Sequence, residues 1–182
     1  MKTILKISFL FLCITLSCSS NNDIVDEIID DSKINTDNSF FAKVNGIDFN
    51  SSEKFVGASI AYSPGASGLA IIATQVENIS SSKAIGITLS VVEDNFEFKN
   101  GMVFTPTDSN IFLIGVYREL ANEDYEFVEN VSIRLEITNI DKVNKLISGK
   151  FNFIEISKDE IGNEKTYTVT DGIFKGISYT DD

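Results

Sequence analysis

Few residues in this 182-residue chain have the type and spacing that chemistry requires. It contains no histidine, which removes Ser-His-Asp and Cys-His nucleophile systems. Histidine-ligated zinc and the iron site of two histidines and one carboxylate go with them. Serine with lysine remains. Ser51-Ser52-Glu53-Lys54 and Ser80-Ser81-Ser82-Lys83 both have the Ser-x-x-Lys spacing, which sets an amine one helical turn from a hydroxyl. Neither is accompanied by Ser-Asp-Asn or Lys-Thr-Gly, and both fall in expected loops of a serine-rich chain. Gly65-Ala66-Ser67-Gly68 misses the nucleophile-elbow spacing and reads as a turn. Two carboxylates about 5 to 9.5 Å apart across a cleft can hydrolyse glycosides. Acids are plentiful, but Glu97, Glu136 and Glu155 fall on strand positions that read as solvent-facing. Asp94-Asn95, Asp108-Ser109-Asn110 and Glu123-Asp124 are oxygen-rich clusters of the kind calcium takes, although Asp and Asn are also ordinary turn formers. The expectation is no catalytic residue and no cofactor, with structural calcium the one metal left open. Without tryptophan, sugar-binding platforms would have to come from Tyr62, Tyr117, Tyr125, Tyr167 and Tyr179. Strand aromatics more often pack in the core or pair across strands.

The two cysteines have a different bearing. Lys2 and Lys6 precede an apolar stretch from Ile7 to Leu16, the charged and apolar regions of a secretory signal peptide. A spanning helix needs about 20 apolar residues, so the stretch is too short to be a permanent anchor. Leu16-Ser17-Cys18 resembles a lipobox, where a peptidase cuts before a cysteine carrying diacylglycerol. Thr15 departs from the usual leucine and leaves cleavage by the ordinary secretory peptidase open. Cys13 departs with the signal, so Cys18 has no disulfide partner, and acylation accounts for its lone thiol. Residues 1–17 are thus expected to be a lipoprotein signal peptide and Cys18 the lipidation site, palmitate included. Two or more acyl chains anchor a protein firmly. The expected location is the outer membrane, facing periplasm or cell surface.

Residues 18–39 read as an acidic, flexible tether containing Asp23, Asp26, Glu27, Asp30 and Asp31. An acidic run behind the lipidated cysteine resembles the surface-export signal of Bacteroidetes lipoproteins; plain linker charge is the other reading. The chain has 15 basic and 27 acidic residues, and loss of Lys2 and Lys6 takes the net charge from −12 to −14. So acidic a protein has no electrostatic means of holding nucleic acid.

Residues 40–182 form the folded domain. Val131-Ser132-Ile133-Arg134-Leu135-Glu136-Ile137-Thr138 alternates apolar and polar with period two, as do residues 85–91, the mark of strands with one wet face. From Gly149 the alternation runs through Phe151 and Phe153 and then shifts to Ile154 and Ile156, which predicts a β-bulge. Asn45-Gly46, Asn100-Gly101 and Asp171-Gly172 each lie between apolar runs and predict hairpins. The further runs Phe55–Tyr62, Leu69–Val76 and Ile111–Tyr117 bring the count to nine or ten strands. The expected fold is all-β: a single antiparallel β-sandwich or flattened barrel, mostly hairpin-connected.

The opening Phe40-Phe41-Ala42-Lys43-Val44-Asn45-Gly46-Ile47-Asp48-Phe49, with residues 147–153 and 169–174, resembles a family of Bacteroidetes putative lipoproteins of unknown function. Those domains begin with an aromatic, an Ala-x-Val-Asn-Gly turn and a second aromatic. The resemblance implies a small β-rich domain on a lipid tether and brings no activity or site residues. Anchor, tether and missing catalytic types together point to a non-enzymatic module binding an envelope protein or glycan. A calycin-like barrel carrying an apolar ligand and a carboxylate-dependent glycoside hydrolase are the alternatives. The oligomeric state is not legible.

Overall fold

Period-two alternation, repeated along the domain, gives ten strands in a computed structural model that describes residues 38–78, 81–107, 109–119 and 125–181. The expected signal peptide, Cys18 and the expected tether up to residue 37 lie outside the described residues, as do Ser80, Asp108, Glu123 and Asp124.

Strands β1 (Ser39–Val44) and β2 (Ile47–Ser51) form the first hairpin, followed by a single 3₁₀ turn (Glu53–Phe55). Then come β3 (Val56–Ser63), β4 (Ala66–Asn78), β5 (Ser81–Val91), β6 (Val103–Phe104), β7 (Ile111–Glu119), β8 (Glu126–Asp141), β9 (Leu146–Lys158) and β10 (Glu164–Asp181). One half of the sheet runs β6-β8-β9-β10-β1-β2, and the other runs β3-β4-β5-β7. Neighbours are antiparallel except at one place. Tyr179–Asp181, the end of β10, lie parallel to Ala58–Ile60 of β3 and join the halves. The result is all-β and unclosed. The halves fold over a common core, where Phe40, Phe49, Phe98, Phe153 and Phe174 are almost wholly buried. Full burial of each such side chain contributes about 2–3 kcal/mol.

The turn chemistry holds at Asn45-Gly46, whose φ values of 51° and 80° give the tight turn of the β1–β2 hairpin. At Asn100-Gly101 only the glycine takes positive φ, 81°, and its flanks do not pair with each other. Instead β6 pairs with β8. The hairpin expected at Asp171-Gly172 is absent: both residues sit inside the single strand β10. Asp171, at φ 53°, makes a bulge there. A second bulge follows Phe174. Each flips the alternation, so the inward set passes from Tyr167 and Val169 to Phe174 and then to Ile177 and Tyr179. Gly172 is required because a Cβ would meet the Phe151 ring at 2.7 Å.

The bulge expected near Ile154 is also corrected. Strand β9 keeps one phase throughout, so Glu155 and Ser157 point inward and are fully buried, while Ile154 and Ile156 are half-buried on the other face. The bulges of this pair lie in β8, which accounts for Val131 being 60% exposed despite its place in the apolar alternation.

Candidate functional site

Two places concentrate polar chemistry. The first is the seam where β7 faces β8 and β9. One edge of β7 is paired with β5; side chains satisfy part of the other. Asn130 of β8 accepts from the Gly115 N–H at 3.0 Å and donates to the Gly115 carbonyl at 2.8 Å. Glu155 accepts from the Tyr117 N–H at 2.6 Å. The same carboxylate pairs with Arg118 at 2.5 Å and accepts from the Ser157 hydroxyl at 2.6 Å. Gly115 lets this approach happen, since a Cβ there would lie 2.5 Å from the Phe153 ring. Every acceptor oxygen of Glu155 is thereby engaged inside protein, so the group closes the fold and faces no cleft.

The second place is an open cleft of about 490 Å³ at one end of the domain. Five segments build it: the end of β3 (Tyr62), the turn into β4 (Pro64, Ser67), the stretch 95–97, the β8–β9 turn (Lys142, Lys145) and the end of β10 (Tyr179, Asp181). Gly65, at φ 83°, turns the chain under it, and Asn95, at φ 57°, turns Phe96 toward the aromatic cluster with Phe98 and Phe104. Tyr62 is 42% exposed at the cleft. Glu97 accepts from Lys142 at 3.0 Å, and Lys145 is paired with Asp181. The Lys145 ammonium also lies 5.7 Å from the Tyr179 ring centre.

Several groups with shifted protonation gather at this cleft. Burial, above all, raises the Tyr62 phenol. The hydrogen bond from Lys142 lowers Glu97 and raises Lys142 in return. The bond between Lys145 and Asp181 likewise raises the amine and lowers the acid. Apart from Tyr62, these are exposed pairs whose shifts come first from their mutual hydrogen bonds. The opposite end holds a smaller pocket of about 100 Å³, between Gln75, Tyr117, Glu119, Lys165 and Tyr167. The chain's own charge occupies its rim: the Lys165 ammonium lies 3.6 Å from Glu119 and 5.1 Å from the rings of Tyr125 and Tyr167.

The residues singled out in the sequence fare unevenly. Ser51 is buried and donates to the Thr74 carbonyl at 2.7 Å, which ties β2 to β4 and gives its hydroxyl a structural role. Ser67 donates to the Phe96 carbonyl at 2.8 Å and lines the cleft. Glu97 and Glu136 are at the surface, the latter paired with Arg134 at 2.9 Å. Glu155 is not solvent-facing as its position had suggested. Among the described residues no three acidic side chains gather as a metal ligand set. The sequence reasoning missed Glu155, Arg118 and Asn130, although the unbroken series Gly149, Phe151, Phe153, Glu155, Ser157 carried the signal. The cleft had no local signal, because its residues come from distant segments. No protein family, curated protein or solved structure matches the chain.

Proposed function

We propose that this protein is a lipoprotein, anchored in the outer membrane through Cys18, whose β domain binds a saccharide of the cell envelope without transforming it. The observation that carries the reading is the end cleft, where the exposed Tyr62 lies beside two carboxylate–ammonium pairs. Its volume falls in the range of about 300–1000 Å³ usual for small-ligand sites. A pyranose has an apolar face suited to a tyrosine ring and hydroxyl pairs that can take a donor from lysine and an acceptor from glutamate together. Each cleft carboxylate is held by a lysine and kept ionised, which suits binding better than proton transfer. Against the apolar carrier stands the filling of the interior by side chains, tight enough at Gly115 and Gly149 to leave no room for a Cβ.

Isothermal titration against envelope oligosaccharides tests the cleft. Tyr62→Ala is expected to weaken binding about tenfold while leaving the melting temperature unchanged. Failure of every saccharide to bind, or hydrolytic turnover lost with one carboxylate, sinks the reading. Metabolic labelling with an alkynyl palmitate tests the anchor: label that persists in Cys18→Ser removes it.

A further inference from the structure

The end cleft does not stop at Lys142. The side chain that donates to Glu97 also borders a second, shallower hollow of about 610 Å³, walled by Lys99, Asn100, Asn139 and Asp141. One short stretch of chain serves both. Phe98 is 0% exposed and packs against Phe96 and Phe104, with ring centres 5.3 and 6.1 Å apart. Its neighbours Glu97 and Lys99 are left exposed, the first lining the cleft and the second the hollow. Two residues of chain span at most about 7 Å, so adjoining units of one ligand can reach both.

The polar groups of the hollow are mostly donors. Its one carboxylate, Asp141, is engaged by its own turn: it accepts from the Val143 N–H at 2.9 Å, the Asn144 N–H at 3.0 Å and the Asn144 amide at 2.7 Å. Asn100 is fixed as well, accepting from the Ile140 N–H at 2.7 Å. Asn139 accepts weakly from Asn100 at 3.4 Å, while its own amide nitrogen donates to nothing among the described residues. The Lys99 ammonium makes no ion pair among them either.

We infer that the ligand is a glycan chain of at least two sugar units, laid across Lys142. One unit lies against Tyr62, and the next lies over Asn139 and Lys99. The inference rests on the saccharide reading of the cleft and adds the length of the ligand. A single sugar leaves the hollow unused, whereas the hydroxyl and ring oxygens of a second unit accept from the free amide and ammonium.

Binding of the full chain to an array of bacterial envelope glycans, from single sugars to hexasaccharides, identifies the series bound best. In isothermal titration of that series, affinity should rise about tenfold from the single sugar to the trisaccharide. Asn139→Ala and Lys99→Ala should each weaken the trisaccharide about threefold, and together return it to the affinity of the single sugar. Both side chains are exposed, so the double variant should melt with the parent and bind the single sugar as before. Tyr62→Ala, by contrast, should weaken every length. Equal affinity for single sugar and trisaccharide overturns the inference and leaves the saccharide reading standing. A length dependence that survives the double substitution does the same. Absence of binding to glycans of every length overturns both.

Discussion

The seam at β7 and the cleft at the end of the domain use the same pair of groups, a carboxylate and a cation, for opposite ends. At the seam the Glu155 side chain is 0% exposed and Arg118 27%; in the cleft Glu97 is 58% and Lys142 54% exposed. Removing water from the first pair makes each partner dependent on the other, because an unpaired buried charge is costly. Leaving the second pair wet keeps its attraction small and screened by salt. Burial thus turns one chemistry into a closure for the fold and leaves the other adjustable.

The difference can be broken most sharply at Glu155. Glu155→Leu strands Arg118, the Tyr117 N–H and the Ser157 hydroxyl, and is expected to destabilise the domain by about 3–5 kcal/mol. Thermal melting should fall by roughly 10 °C. A fall of under about 2 °C would make the seam no different from the cleft. Gly115→Ala forces a Cβ against Phe153 and should remove about 1–3 kcal/mol by the same measurement. Asn130→Ala leaves the Gly115 N–H and carbonyl without their amide partner, an expected loss of about 1–2 kcal/mol in urea unfolding.

The smallest effect belongs to the cleft. Glu97→Gln should lower melting at neutral pH by less than about 2 °C. The folded pKa of Glu97 lies below the unfolded value, so the pair's contribution is present above the ordinary carboxylate range. It is lost as pH falls through the lowered value. Lys142 is raised, so its side of the pair is present below the ordinary lysine pKa and lost as pH rises through the higher one. NMR titration of the Glu97 carboxyl should give a midpoint below 4.5 that returns toward 4.5 in Lys142→Ala.

Where alternation is unbroken the fold was legible. The strands β3, β5 and β7 fall on the apolar runs of the sequence, and the Asn45-Gly46 hairpin turns as its residues require. Bulges hid the rest. Asp171-Gly172 has the composition of a two-residue turn, yet one positive φ at Asp171 makes a bulge and lets the strand continue. Glu155 was hidden by the isoleucines on either side of it, whose hydrophobicity outweighed the phase set by Phe151 and Phe153. Its partner Arg118 lies 37 residues away. The cleft was illegible for a different reason: Tyr62, Glu97, Lys142 and Asp181 share no periodicity, and only the strand order brings them together.

That strand order also sets a clock. Strand β10 pairs with β9 and β1 and, at its end, with β3, whose residues lie about 120 positions earlier in the chain. Pairings of such high sequence separation form slowly, since the loop must close before the contact contributes anything. The parallel pairing that links the two halves of the sheet therefore waits until residues 179–181 have emerged from the ribosome. The strand that completes the sheet is thus also the one that postpones it.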